Sequence, residues 1–552
     1  MHHAAFSARR IADADPAEKV SATFLLRRRP GHPKLPDQLY WSRTPAGKRT
    51  FLSREEFAKQ YGADPGDLIA LRKFARASGL KVVQSSLARR TLIVSGTVKQ
   101  MNRIFGVDMG IYAMPDGVYR GLEGKIFIPK AIADLVVGVF GLDNRRMLRK
   151  HGAPAGPAGA VPLNPREVAK LYNFNSAASN GLHQTIGLIE FGGGYVRLKG
   201  KDIEGLKLPD IDAFFASVDL ATPKITDVYV DGATNDPDST PLNIGDSLEV
   251  ALDIDVAGSI APEADLVVYF APDGAQGWID AISTAVHDAV NKPSILSISW
   301  GRSEYDGNGN PSWTQSTLDS TSELFAEAAA MGISVFAASG DDGSNCLVST
   351  GEAYVIYPAS DPWVTSCGGT IITDVDKHFS FDEHTWNDIS WSGSIWSGYI
   401  GGATGGGFSR VFPHPGWQPA TRKRPLRGFP FGRGVPDIAG NASRYSGYTI
   451  QVFGVKQLVG GTSAVAPLYA GFFARLNATL GRNLGYLNPT LYEFSSAPSV
   501  FRDIKDNVSN AAPFGLPGGL SSVGYKSVAG WDPCTGLGVI DGALLVNRLK
   551  PN

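Results

Sequence analysis

Three kinds of side chain in this 552-residue chain stand where a serine nucleophile would want them: a serine behind a glycine turn, two carboxylates four residues apart, and an aspartate closing an apolar run. Ser463 lies in GGTSAVAPLYAG, a tight Gly-Gly-Thr turn that feeds what reads as a buried helix. A helix N-terminus offers backbone N–H groups and the positive end of a dipole, which stabilise an oxyanion developing beside a hydroxyl. Read alone, the serine could equally cap that helix. Glu249 and Asp253 share one face of DSLEVALDIDVAG, a helix apolar almost all round through Leu248, Val250, Ala251, Leu252, Ile254, Val256 and Ala257. Two carboxylates buried side by side must share a proton or find donors, and either arrangement moves their pKa values. A capping box with Asp246 could account for Glu249 but not for Asp253 in the apolar interior. Asp341 follows GISVFAASG and opens a turn with Asp342 and Gly343, ordinary turn chemistry in isolation. None of the nine histidines stands in an H-G-T setting, so a carboxylate is the available base for the serine.

The elements that must hold these groups can be read from periodicity. QTIGLIEF, ITDVYVDG, ADLVVYFAP, SILSISWG, GISVFAASGD and VTSCGGTII are near-continuous apolar runs, interleaved with helical stretches such as GWIDAISTAVHDAV and LDSTSELFAEAAAMG. That alternation predicts an α/β domain with a parallel sheet covered on both faces and its function at the carboxyl ends of the strands. Upstream, VSATFLLRRR and RRTLIVSGT read as strands, and SREEFAKQYG, DPGDLIALRKFARASGL and KQMNRIFG as helices, together a small α+β domain. GAPAGPAGAVPLNP then has the composition of an exposed linker, with a cleavable bond expected within 151–161. The expected division is 1–157 and 158–552.

Charge divides at the same place. Residues 1–157 carry 27 Lys+Arg against 13 Asp+Glu, the remainder 25 against 40. Opposite charges within one chain favour mutual docking over nucleic-acid binding. No apolar run is long enough to span a membrane, and the first residues show no apolar segment of a signal peptide. Three cysteines, Cys346, Cys367 and Cys534, allow at most one bridge.

Seven segments in order, GLIEFGGGY, LEVALDIDVAG, LSISWG, AASGDDGS, GGATGGGFSR, GGTSAVAP and GWDPCTGLG, make the chain similar to the sedolisins (serine-carboxyl peptidases), in particular their kumamolisin branch. The resemblance implies a subtilisin-like fold behind an inhibitory and chaperoning propeptide, and a self-processing, acid-acting serine endopeptidase that works as a monomer on protein or peptide substrates. It implies Ser463 as nucleophile, Glu249 as general base, Asp253 as its partner and Asp341 as oxyanion acid, with Glu190 and Trp300 extending the network. It also implies one structural Ca2+ at Asp503, Ile504, Val528, Gly530 and Asp532, of which the two aspartates would otherwise read as turn residues. Val528 replaces the glycine of that branch, which leaves the conformation of its loop open. Secretion is implied by the family, although no signal peptide is visible. A tripeptidyl exopeptidase of the same family, or a non-catalytic binding protein on the same fold, are the alternatives. The segment GGATGGG is either a mobile loop or, by the resemblance, a stretch beside the cleft.

Overall fold

The computed structural model describes residues 2–3, 9–114, 117–150, 160–196, 210–346, 348, 350–388, 402–418, 432–496, 499–511 and 523–550. Residues 151–159, where most of the expected linker falls, and Gly401 of the glycine-rich segment lie outside them.

In the first domain the strands Lys19–Leu26 and Thr91–Thr97 pair antiparallel, from Lys19 opposite Thr97 to Leu25 opposite Thr91. Lys81–Ser86 and Val136–Phe140 flank them in a four-stranded sheet. The three expected helices are Arg54–Tyr61, Pro65–Ala77 and Val98–Phe105. Each begins where its sequence supplies a cap: a Ser53/Glu56 capping box, Asp64 before Pro65, and a Thr97/Gln100 box. Strand alternation then splits the buried side chains between two cores. Ala22, Phe24 and Leu26 pack with Leu71, Met101 and Phe105 of the domain's own helices. Leu25 and Phe140, joined by Phe57 and Tyr61, instead enter a cluster with Trp278, Ile282 and Phe325 of the following domain. The two domains therefore share an apolar core, which adds to the charge complementarity.

The second domain is built on an eight-stranded, mostly parallel sheet in the order Ile225–Tyr229, Asp265–Phe270, Thr185–Glu190, Ile295–Ile298, Ser334–Ala338, Thr365–Thr373. The last of these also pairs with Asp382–Thr385, antiparallel, and Ile438–Asn441, parallel. Helices Ala275–Val286 and Gln315–Ala330 supply the apolar cluster on one face. Pro241–Ile260 and Val465–Leu480 pack together on the other. The expected α/β arrangement with helices on both faces is what the chain adopts. All three cysteines are buried and free, so no bridge forms. Among the described residues no helix is long and apolar enough to cross a membrane.

Candidate active site

Three neighbouring strands deliver the floor of the site at their carboxyl ends. Thr185–Glu190 ends on Glu190, Ile295–Ile298 is followed by Ser299 and Trp300, and Ser334–Ala338 leads to Asp341. The helix Pro241–Ile260 lays Glu249 and Asp253 over them, both fully buried. It is capped by Thr240 rather than by Asp246, so the capping-box account of Glu249 does not hold. Ser463 sits in a 3-10 turn, Thr462–Ala464, that opens into Val465–Leu480, and it is the N-cap of neither element, those positions being Gly461 and Ala464. The glycines before it are required: a Cβ on Gly460 would lie 2.4 Å from the Ala442 carbonyl oxygen, and Gly461 has φ 129°.

Carboxyl groups meet here with no ion pair on Glu190, Glu249, Asp253 or Asp341 among the described residues, Lys150 acting on Glu249 only through its charge. Trp300 Nε1 donates to Glu190 Oε2 at 2.9 Å, and Ser299 Oγ donates to Asp253 at 2.7 and 2.9 Å from its two oxygens. Burial pushes Glu190 up to about 8, against the Trp300 hydrogen bond and with the charge of Glu249 adding to the rise. Asp253 is raised well above the carboxylate range by burial and then by Glu190 and Glu249, with which it forms one proton-sharing cluster. Glu249 is raised to about 7 by burial, opposed by the Ser463 hydroxyl and by Lys150. Its oxygens have no partner of full hydrogen-bond geometry, and Ser463 Oγ lies 3.4 Å from the Ser299 carbonyl. The hydroxyl is thus poised between the two.

Asp341 keeps part of its surface exposed but is enclosed mainly by protein, and burial raises it well above the carboxylate range. Its Oδ1 accepts two bonds from Thr462, from the backbone N–H at 2.8 Å and from Oγ1 at 2.9 Å. The proton of the neutral acid therefore belongs on Oδ2. Ser299 and Thr462 were not singled out from the sequence, although both stand inside quoted segments, LSISWG and GGTSAVAP. A serine and a threonine flanking motif residues carry no periodic signal of their own.

The glycine-rich segment touches the same place. Ala403 N donates to the Asp341 carbonyl at 2.9 Å and Gly405 N to the Gly340 carbonyl at 2.7 Å. A Cβ on Gly405 would meet the Ser339 carbonyl oxygen at 2.2 Å, and one on Gly406 the Pro533 carbonyl oxygen at 1.9 Å. Those glycines permit close approach to the chain's own backbone behind Asp341.

The five residues assigned to calcium lie on two loops tied together. Gly530 N donates to Asp503 Oδ2 at 3.0 Å, and Val528 N to Asp532 Oδ2 at 2.8 Å. Val528 is not in the left-handed region, so the departure from glycine strains nothing. Among the described residues no backbone N–H donates to the carbonyls of Ile504, Val528 or Gly530, and no three His, Cys, Asp or Glu side chains cluster. Two carboxylates with unclaimed carbonyls are a hard-oxygen donor set, which fits Ca2+ in kind.

The fold and the site together define a class: the chain belongs to the sedolisin family, the serine-carboxyl peptidases, built as a propeptide followed by a subtilase-like domain. Residues 7–145 match the pro-kumamolisin activation domain and residues 239–484 the subtilase family. Kumamolisin of Bacillus sp. (strain MN-32) is 38% identical over 100% of this chain and 96% of its own. Tripeptidyl-peptidase sed5 of Aspergillus fumigatus is 30% identical over 98% of this chain and 95% of its own. Among solved structures, Pseudomonas sedolisin complexed with two molecules of pseudo-iodotyrostatin superimposes with a TM-score of 0.57 at 29% identity, covering 71% of this chain and 98% of that one.

Proposed function

We propose that the chain is the zymogen of an acid-acting endopeptidase in which Ser463 Oγ attacks the scissile carbonyl and Glu249 takes its proton. Asp341, protonated on Oδ2, donates to the oxyanion, and Glu249 returns its proton to the leaving amine. In the second half a water gives its proton to Glu249 and attacks the acyl carbonyl; the bond to Ser463 Oγ then breaks, Oγ recovers the proton from Glu249 and the acid product leaves. Asp253, Glu190, Ser299 and Trp300 position Glu249 and hold the remaining protons. The observation that carries the reading is that one serine has a buried carboxylate against its hydroxyl and a second carboxyl, with its free oxygen fixed, tied to the residue before it.

The propeptide acts as the intramolecular inhibitor. Arg149–Lys150 forms an antiparallel strand on Trp300–Ser303, with Arg149 opposite Gly301 and Lys150 opposite Trp300. An endopeptidase is favoured over a tripeptidyl exopeptidase because this chain continues upstream against the catalytic domain, where Met147 N and Leu148 N donate to Asp273 Oδ1 at 2.8 and 3.1 Å. With Glu249 at about 7 in the closed precursor, acid activity requires the mature cleft to hold Glu249 lower, through water and the Ser463 hydroxyl. Asp503, Asp532 and the carbonyls of Ile504, Val528 and Gly530 would hold one Ca2+, which supplies cross-linking of the loops and no chemistry at Ser463.

The test is the Ser463→Ala precursor incubated across acidic pH. It is expected to remain a single chain while the parent cuts itself. Processing of the variant at the parent's rate, without added protease, overturns the assignment.

A further inference from the structure

The strand that fills the cleft also reports what the cleft selects. Arg149 and Lys150 run antiparallel to Trp300–Gly301, so the next position of that register faces Ser299, whose carbonyl is 3.4 Å from Ser463 Oγ. In a substrate bound in this register, the residue facing Ser299 supplies the scissile carbonyl. The residue facing Trp300, where Lys150 now lies, is then the penultimate one on the acyl side. Lys150 Nζ donates to the Gly245 carbonyl and lies 3.5 Å from Asp246 Oδ1. The other oxygen of Asp246 is 3.0 Å from the guanidinium of Arg146, whose Nε is 3.0 Å from Asp273 Oδ2.

Asp246 and Asp273 belong to the catalytic domain, Asp246 buried and Asp273 half-buried with its side chain covered in the precursor, while among the described residues every cation on them comes from the segment RRMLRK that leaves with the propeptide. A carboxylate built into a wall and stripped of its counter-ion favours whatever cation next enters. Asp246 does not cap its helix, so that role does not explain it.

We propose that Asp246, with the Gly245 carbonyl, is a specificity-determining residue that selects lysine or arginine at the penultimate acyl-side position. Asp246 and Asp273 together then take a guanidinium four residues farther upstream, in the place of Arg146. This rests on Ser463 being the nucleophile, and it adds a substrate class to that reading: peptides with basic residues ahead of the cut bond.

The experiment uses mature enzyme and pairs of otherwise identical peptides, about ten residues long, carrying lysine, acetyl-lysine or glutamine at the penultimate position. For the parent enzyme kcat/KM should favour lysine over acetyl-lysine about ten- to hundredfold, the scale of one charge-assisted hydrogen bond. Asp246→Asn should bring the ratio to about one, and Asp246→Glu should restore part of it. Equal rates on lysine and acetyl-lysine with the parent enzyme overturn the proposal, a measurement that needs no variant to fold. So does a ratio unchanged in Asp246→Asn. If the parent cuts every peptide without preference, the selection fails and the peptidase stands; if it cuts none, the peptidase reading itself fails.

Discussion

Glu249 and Glu327 are both glutamates on helices of the catalytic domain, both buried, and they are driven in opposite directions. Glu249 is raised to about 7 because burial meets only other carboxyls, one hydroxyl and the distant Lys150. Glu327 suffers the same burial but faces the guanidiniums of Arg28 and Arg90 and the ring of His287, whose Nε2 lies 2.7 Å away, and it is held far below the carboxylate range. Burial sets the stakes, and the partner decides which protonation state wins. At the candidate site the missing cation leaves a carboxyl that gains and loses its proton near neutral pH, as the proposed base must. At the domain interface the two guanidiniums come from the propeptide and His287 from the catalytic domain itself, and the charge serves docking.

The largest test of this contrast is catalytic. Glu249→Gln should lower kcat by about 10²–10⁴-fold in a folded protein, and near-parental turnover would remove Glu249 from the mechanism. On stability the order reverses. In the Ser463→Ala precursor, Glu327→Gln leaves Arg28 and Arg90 only the half-buried Glu323, 2.9 and 2.8 Å away, and should cost up to about 3 kcal/mol, the low end of the range for a broken buried pair. Glu249→Gln should leave the melting temperature unchanged or raise it.

The pH dependence carries the sign. The folded value of Glu327 is depressed, so its contribution is present above the ordinary glutamate range and is lost only as pH falls toward the folded value, in strong acid. Glu249 is raised, so its penalty is full above about 7 and fades as pH falls from there toward the ordinary value. The cost of Glu327→Gln should therefore be the same at pH 7 and pH 5, while any gain from Glu249→Gln should shrink over that interval. Melting curves of the two variants check both. A Glu327→Gln cost that vanished by pH 5 would instead mean that mild acid already neutralises this contact between the domains.

Smaller effects sharpen the picture. Chelation, or Asp532→Ala, should lower the melting temperature of the mature enzyme by several degrees if an ion binds the native state alone. A curve indifferent to both removes the ion. Asp341→Asn should extend residual activity toward neutral pH, since an amide donates without titrating; an unchanged upper limb would take Asp341 out of that role.

Much of the site was legible because its residues break local rules. Asp253 inside an apolar helix and Ser463 behind two glycines have no comfortable structural account, and motif order did the rest. Asp246 was read only as a cap for Glu249, because a helix start is hard to place when Pro241 precedes so even an apolar run. Glu327 was not singled out at all: Arg28 and Arg90 lie far upstream and meet it only through docking, and His287 of its own domain stands at no telling spacing from it. In the propeptide the strands Lys81–Ser86 and Gly117–Leu122 escaped notice because half-exposed edges lack the apolar alternation of a central strand.

Thr462 has a kinetic meaning beyond its two hydrogen bonds. Its two bonds to one oxygen of Asp341 hold the carboxyl against rotation, so in the proposed cycle the hydroxyl of the neutral acid would keep the same heading when the substrate amide is attacked and when the acyl-enzyme is hydrolysed. Both negatively charged intermediates then form against a donor already in place, and neither half of the cycle waits for a side chain to turn.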